Sequence, residues 1–263
     1  MPSYAAMRKG RNTMSTVLHF LFNIALALLS TTLILISGNF VFSLILVLIS
    51  KWRVFAVRPR YWWANIKSNL LDFTVGSSLV FLTFLAGTSG LNLWHLVFTL
   101  FYIFWLVFIK PFSGARAAVF QAGIALALGT TVISLLGTNF DPLFSVLAAF
   151  IVAYAAARHA LSQSEDQDFI FFIFLFALLV SELSWIFYHW MITYTILLGK
   201  VHFAVPQFPI AATILFFFFA KGYGSALLHD GKIRQDDIFL PGVFSLAVIL
   251  VMLFIFSAAK FNI

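Results

Sequence analysis

The sequence SELSWIFYHW, residues 181–190, contains one carboxylic acid, Glu182, well inside an apolar run that begins at Phe169. An ionisable residue within a membrane-spanning helix is costly, and it usually faces the bundle interior or a water-filled cavity. Helical spacing places Trp185 and His189 on the same face as Glu182. These three side chains therefore predict a polar pocket in which a desolvated carboxyl could exchange protons.

Composition indicates that the elements holding such a pocket are membrane-spanning helices. Hydrophobic residues make up 62% of the 263 residues and charged residues only 10%, which is more apolar surface than a soluble domain can bury. We therefore expect an all-α fold, a polytopic integral membrane helix bundle in which the lipid bilayer surrounds most side chains.

Residue content excludes several classes of chemistry. The chain has no cysteine, so disulfides, thiolate catalysis and cysteine-ligated metals are ruled out. No histidine pair has the i, i+3 or i, i+4 spacing of a helical metal site, and neither a metal nor a cofactor is predicted. The net charge of +7 sits in short loops between apolar runs. That distribution indicates membrane topology, and no nucleic-acid partner is expected.

Nine apolar runs are each close to the length of about 20 residues that a spanning helix needs. They lie at 16–36, 39–57, 70–87, 92–109, 116–136, 142–160, 169–189, 208–228 and 238–258. The connecting loops are short, so the chain is predicted to be a single transmembrane domain, 1–263. The segment 190–207 is too short to span, and it could continue the seventh helix, re-enter the membrane or form an external loop.

The distribution of Lys and Arg sets the orientation, because cytoplasmic loops retain these residues. With the N-terminus inside, fourteen of sixteen basic residues fall on the cytoplasmic side, and only Lys200 and Lys260 fall outside. A count wrong by one helix before residue 221 would scatter the later charges. We therefore predict nine spans, a cytoplasmic N-terminus and an external C-terminus, in the plasma or inner membrane.

This orientation limits the partners of Glu182. The carboxyl lies thirteen residues after Phe169, or about 20 Å along a helix axis, and so in the outer third of a hydrocarbon core about 30 Å thick. His189 is too far along the helix to pair with it, whereas His95 begins the fourth run from the same outer side. Hydrogen-bonding alternatives are Thr83 and Ser134. The competing interpretation of Glu182 is structural, with a protonated or hydrogen-bonded carboxyl that fixes helix register.

Small residues predict which helices pack most closely, since close approach and hydrogen bonds drive helix association in lipid. The fifth and sixth runs carry small residues at regular spacing, and we expect these two helices to form a tight antiparallel pair. The predicted packing residues are Gly123, Ala127, Gly129, Ser145, Ala149, Ala153 and Ala157. The Phe-rich seventh, eighth and ninth runs are predicted to face lipid at the periphery.

A cationic, Trp-rich stretch follows the second run. We expect residues 58–69 to form a short interfacial segment, with Pro59 in the first turn of its helix. One interpretation is a positive-inside anchor with an aromatic belt; the other is a site for anionic lipid headgroups or an acidic partner. The candidate headgroup-binding residues are Arg53, Arg58, Arg60, Trp62, Trp63 and Lys67.

Two fragments resemble the signature of the rhomboid intramembrane proteases. HFLFN, from His19, matches an H-x-x-x-N helix start, and GTSG, residues 87–90, matches the G-x-S-G nucleophile turn. The predicted topology separates them, because His19 begins the first span at its cytoplasmic end and Ser89 follows the third span at its outer end. A serine nucleophile needs a histidine base within hydrogen-bond reach, so no catalytic residue is assigned.

The strings SELSWIFYHW, VRPRYWWANIKSN and HDGKIRQDDI resemble stretches of uncharacterised multi-pass membrane proteins from small-genome bacteria. That resemblance implies a polytopic membrane protein and carries no activity. Two classes of function then fit the sequence. A transporter or flippase for a small or lipidic solute predicts a continuous cavity that reaches Glu182. A non-catalytic subunit or scaffold, bound to a membrane protein partner, predicts a solid bundle with one apolar lateral face, and an intramembrane enzyme is a third possibility.

Overall fold

Helices account for most of the chain. The computed structural model describes residues 4–161, 169–190, 192–198, 201–229 and 231–255. Their helices are α1 (Tyr4–Ser37), α2 (Val41–Ser50), α3 (Trp62–Leu85), α4 (Leu93–Phe104), α5 (Ala115–Gly137), α6 (Pro142–Leu161), α7 (Phe169–His189), α8 (Gln207–Leu228) and α9 (Gln235–Ile255). Two 3₁₀ turns, Trp52–Val54 and Pro59–Tyr61, precede α3, and a π-helical turn, Trp105–Ile109, extends α4.

Seven helices in the described part of the chain are long and apolar enough to cross a membrane, by length and composition. They are Val17–Ser37, Pro59–Leu85, Ala115–Gly137, Pro142–Leu161, Ile170–His189, Gln207–Leu228 and Gln235–Met252. Val41–Ser50 and Leu93–Ile109 are apolar but shorter. The chain is thus a helical protein with the helices of a polytopic membrane protein, as its composition predicts.

The second apolar run, 39–57, forms a shorter helix than expected. Helix α2 ends at Ser50 after ten residues, a length of about 15 Å. The Ser50 hydroxyl donates a hydrogen bond of 2.6 Å to the Val47 carbonyl, and Lys51 leaves the helical conformation. Hydropathy extends the run to residue 57 because the residues beyond Lys51 are largely apolar, although the backbone has already turned.

The predicted interfacial segment, 58–69, is not a separate helix. Pro59 opens a 3₁₀ turn that leads directly into α3, which then runs without a break from Trp62 to Leu85. No proline lies between these two residues, so nothing in the sequence stops the helix where the polar residues give way to apolar ones. The third predicted span, 70–87, is therefore the second part of a longer helix.

Residues 193–198 and 201–206 form two paired β-strands, so the segment 190–207 does not continue the seventh helix. A re-entrant piece and an external loop stay predictions for this segment. Strand β1 (Thr193–Leu198) pairs antiparallel with β2 (Val201–Pro206), with Thr193 opposite Pro206 and Leu198 opposite Val201. The Gln207 backbone N–H donates a hydrogen bond of 2.9 Å to the Ile192 carbonyl. This bond continues the pairing of the two strands up to the start of α8.

The chain divides into two compact units, and the first comprises Met1–Trp62 and Leu79–Phe112. Hydroxyl groups join its helices. The Thr31 and Thr99 hydroxyls are 2.6 Å apart between α1 and α4, and the Ser43 hydroxyl of α2 donates to the Ser30 carbonyl of α1 at 2.9 Å. Trp105, in the π-helical turn, is among the most deeply buried side chains of the described residues. Such interhelical hydrogen bonds are the contacts that apolar surroundings favour.

The second unit, Trp63–Ser78 and Ser113–Ile263, is organised around α6. The predicted small-residue row of this helix is buried: Ala149, Ala153 and Ala157 are 0% exposed and Ser145 is 2% exposed. On α7, the Ser184 hydroxyl donates to the Ser145 carbonyl at 3.4 Å. Helix α6 therefore packs closely against α7 as well as against α5.

Glycines of α5 contact two different helices. A Cβ atom at Gly129 would lie 2.6 Å from a Val152 methyl of α6, which agrees with the predicted α5–α6 pair. A Cβ atom at Gly123 would instead overlap the Phe217 ring of α8, so this glycine serves a different contact from the one expected. Ala127 is only partly buried. The space beside Gly123 is what allows a bulky ring to approach α5.

The Phe-rich helices are not wholly peripheral, contrary to the sequence-based expectation. Phe176 of α7 and Phe216 of α8 are 2% and 0% exposed, and their ring centroids are 5.5 Å apart in an edge-to-face arrangement. By contrast, the apolar window of α9 has only 11% of its residues buried.

We predict that Gly129→Ala destabilises the second unit by about 1–3 kcal/mol, because the added methyl group overpacks the contact between α5 and α6. Thermal unfolding in mild detergent measures the loss. Gly222→Ala is the matched control, since Gly222 lies inside α8 and no atom comes within 4 Å of the place that an added methyl group would take. This control should be neutral or slightly stabilising. Equal melting temperatures for the two variants would contradict the close α5–α6 packing.

Candidate functional site

Glu182 lies on the exposed side of α7. Trp185 and His189 are exposed on the same side, and their ring centroids are 4.9 Å apart. The buried side of the helix at this level carries Ser181 and Ser184 instead. The small serines allow α7 to approach its neighbours closely, so this face turns inward and the larger Glu182 side chain turns outward. Glu182 therefore does not face the bundle interior, contrary to the expectation from the sequence.

His95, the predicted partner of Glu182, has a local structural role. The Asn92 side chain accepts a hydrogen bond from the His95 backbone N–H at 3.1 Å, and His95 Nδ1 accepts one from the Asn92 backbone N–H at 3.2 Å. This reciprocal pair is a capping box at the start of α4. The other ring nitrogen, Nε2, lies 2.9 Å from the Gly87 carbonyl oxygen. Both nitrogens of the buried ring are thus occupied by its own loop and helix.

The alternative partners of Glu182 are also occupied locally. The Thr83 hydroxyl donates to the Leu79 carbonyl at 2.7 Å, and the Ser134 hydroxyl donates to the Thr130 carbonyl at 2.8 Å. Each hydroxyl bonds to the preceding turn of its own helix, which is the usual arrangement for Ser and Thr in apolar surroundings.

The candidate headgroup residues divide into two groups. The Trp62 indole N–H donates to the Val57 carbonyl at 2.9 Å and its ring packs edge-to-face on Phe55, so Trp62 secures the turn that leads into α3. Arg58 and Arg60 are exposed, with the Arg60 guanidinium 4.6 Å from the centre of the Tyr61 ring. The Arg53 side chain lies outside the described residues.

Lys67 forms the second group, because it is part of the lining of a cavity. Its ammonium lies 4.9 Å from the centre of the exposed Trp63 ring, and its side chain lines a cavity of about 250 Å³ within the second unit. We call this the basic cavity. It is lined by Lys67, Ser68 and Leu71 of α3 and by Ala155, Arg158 and His159 of α6.

Polar groups of α3 and α5 interact with His159, which lines the basic cavity. His159 Nε2 lies 2.8 Å from the Gln121 side-chain oxygen of α5, and Gln121 is only 5% exposed. The Asp72 carboxylate of α3 interacts electrostatically with the His159 ring. The hydrogen bond to the buried Gln121 amide orients the imidazole and joins α5 to α6 at this end of the unit.

Arg158 also lines the basic cavity. Its guanidinium has no anionic partner among the described residues. The side chain is partly buried, and no described carboxylate forms an ion pair with it; the acidic stretch 162–168 lies outside that part of the chain. A partly buried guanidinium favours a planar anionic partner such as a carboxylate or a phosphate. Lys67 lines the same cavity, so two cationic side chains belong to its lining.

The second unit also contains apolar clefts on the two sides of α9. One, of about 540 Å³, has an entirely apolar exposed lining and lies between α8, α9 and Tyr194 of β1. The other, of about 260 Å³, is lined largely by apolar side chains of α7, α8 and α9. Gln207 is the polar residue of its lining, and the Gln207 amide donates to the Met252 carbonyl at 3.1 Å.

The sequence indicates only part of the basic cavity. Lys67 stands out because of its place in a cationic stretch, whereas Gln121, Arg158 and His159 are not among the predicted site residues. The feature of the sequence that could have indicated them is their position, because each of these polar residues lies near the predicted cytoplasmic end of an apolar run. Spacing along one helix cannot reveal a site whose lining comes from two helices, α3 and α6, and whose His159 is held by a third.

Comparison with known proteins does not assign this chain to a family. No family model matches the chain, and neither a curated protein nor a solved structure has significant similarity to it.

Proposed function

We propose that this chain is a flippase-like transporter that binds the anionic headgroup of a lipid in the basic cavity. The observation that carries this proposal is the pairing of Lys67 and Arg158 around one cavity at the end of a helical unit. Basic pockets between membrane helices on the cytoplasmic side are suited to anionic headgroups, because the surrounding low dielectric strengthens each charge contact.

The size of the basic cavity fits a headgroup better than a whole lipid. Its volume of about 250 Å³ is below the range of about 300–1,000 Å³ found for most small-molecule sites. The acyl chains would remain in the hydrocarbon, where the apolar clefts beside α9 offer compatible surfaces. Helix α9 is the least buried of the spanning helices, and it can therefore move with little loss of packing when a lipid passes.

The position of this site differs from the one that the transporter interpretation predicts from sequence. A cavity reaching Glu182 would lie near the end of α6 that holds Ser145, whose carbonyl accepts from Ser184. The basic cavity begins at Ala155, ten residues along α6 from Ser145, or about 15 Å. The proposed site therefore lies toward the other end of the helix, where the sequence predicts the cytoplasm.

We also infer the finer topology: nine crossings, a cytoplasmic N-terminus and an external C-terminus, in the plasma or inner membrane. The bias of Lys and Arg supports this arrangement. Helix α2 is short, so its crossing depends on the 3₁₀ turn that follows it and on the local thinning of the bilayer that a short apolar segment induces.

Lipid transfer tests the headgroup site. In proteoliposomes with a fluorescent phosphatidylglycerol, the double variant Lys67→Gln, Arg158→Gln should lower apparent lipid affinity by about 30-fold, since two cations contribute about 1 kcal/mol each. The transfer rate is measured by quenching of the outer-leaflet fluorophore at low lipid fraction.

The matched control is Arg58→Gln, Arg60→Gln, which removes the same charge outside the basic cavity and should leave transfer within about twofold of wild type, apart from the weak effect of surface charge. Equal losses in the two double variants would show a general charge effect. An absence of lipid transfer by the wild-type protein would refute the flippase proposal itself.

Accessibility labelling tests the crossing of α2. Because the natural chain has no cysteine, single substitutions Ala56→Cys and Thr88→Cys give unambiguous labelling sites, and both positions are exposed. A membrane-impermeant maleimide applied from outside should label the position at residue 88 and leave that at residue 56 unlabelled until the membrane is opened. External labelling at residue 56 would mean that α2 does not cross.

A further inference from the structure

The exposed side of α7 carries a regular row of residues, which we call the α7 seam. Its members are spaced alternately by four and three residues: Phe171, Leu175, Leu178, Glu182, Trp185 and His189. All six are exposed. A sustained alternation of three and four is the heptad pattern of two helices that pack side by side with a left-handed crossing. The seam therefore has the spacing of a helix–helix interface and lacks a partner in the described chain.

Glu182 distinguishes this seam from an ordinary lipid-facing surface. It lies thirteen residues after the start of α7 and seven before its end, so about 20 Å and about 10 Å of helix flank it. No other side chain in the described ranges donates a hydrogen bond to its carboxyl group. Acyl chains offer none either, and an ionisable group facing hydrocarbon is costly unless it finds a polar partner.

We propose that the α7 seam is the interface of a parallel homodimer in which the Glu182 carboxyl groups of two copies hydrogen-bond each other through one shared proton. Two copies with the same topology are related by an axis along the membrane normal, which places identical residues at identical depth. A protonated carboxyl donates its O–H to the carboxylate oxygen of the other copy. Each copy then supplies the polar partner that the other lacks.

The seam chemistry favours a second copy over lipid or an unrelated helix. The two-fold arrangement matches the depth of the acid automatically, whereas another protein would need a donor at the same level. Polar side chains that hydrogen-bond between helices are established contacts in membrane association. His189, the other titratable group on the seam, lies seven residues away, or about 10 Å along the helix, and does not compete for this contact.

Cysteine cross-linking tests the interface in the full chain, because wild-type protein has no thiol. Leu178→Cys places a thiol on the seam, and Ile151→Cys is the matched control on the exposed side of α6. The antiparallel contact of Ser145 with Ser184 puts residues 151 and 178 at the same level, six residues from each serine. Oxidation in liposomes should yield covalent dimers for Leu178→Cys and few for Ile151→Cys.

Substitution of Glu182 in the Leu178→Cys background tests the carboxyl pair. Glu182→Leu should lower the dimer association constant by about tenfold, as expected for loss of one interhelical hydrogen bond, and Glu182→Gln should retain dimerisation because its amide can both donate and accept. At a dilution in detergent at which the protein is monomeric, the melting temperatures of both variants should equal that of the parent, which separates dimerisation from folding.

Two results would overturn the proposal. If Leu178→Cys forms no more covalent dimer than Ile151→Cys, the seam does not join two copies. If cross-linking is strong but identical in the Glu182→Leu and Glu182→Gln variants, the carboxyl pair does not hold the interface.

Discussion

The rest of the structure depends on one constraint: in lipid, burying one apolar side chain against another gains little over leaving it in hydrocarbon. The inward face of a helix is then selected by groups that permit close approach or that can hydrogen-bond. The alanine row of α6 is such a face, since Ala149, Ala153 and Ala157 are 0% exposed. Helix α7 turns Ser181 and Ser184 toward the interior for the same reason.

Both functional proposals follow from that packing. Close approach of α5, α6 and α7 leaves Glu182 on the outside, where a second copy supplies a hydrogen-bonding partner. At the other end of α6, the basic cavity lies between this helix and α3. The Gln121–His159 hydrogen bond fixes one wall of this cavity, so Arg158 and Lys67 can face a ligand from separate helices.

The sequence locates long helices such as α7, but it does not show which side of each helix faces the interior. The seventh run is predicted at 169–189, and α7 has the same bounds, because long apolar runs with polar ends specify a spanning helix. The inward or outward orientation of Glu182 cannot be inferred in the same way, since both sides of α7 are apolar. Gly123 illustrates a similar limit: a small residue predicts a close contact but not whether its partner is α6 or Phe217 of α8.

The basic cavity is only partly predictable for a related reason. Lys67 is conspicuous in a cationic stretch, but Gln121 and His159 are separated by 38 residues and meet only when α5 and α6 pack. The end of a short helix is also not predictable from hydropathy, because a hydropathy run does not show that α2 ends at Ser50. A hydropathy run likewise does not indicate the paired strands β1 and β2, where alternation of side chains is too short to stand out.

The most direct test of the central claim is native mass spectrometry of the purified protein released from nanodiscs that contain equal amounts of phosphatidylglycerol and phosphatidylcholine. The basic cavity predicts that one phosphatidylglycerol per chain remains bound after the other lipids have been removed, because a phosphate between two cations in a partly dry site dissociates slowly. Equal retention of the two lipids, or loss of both together, would contradict the account.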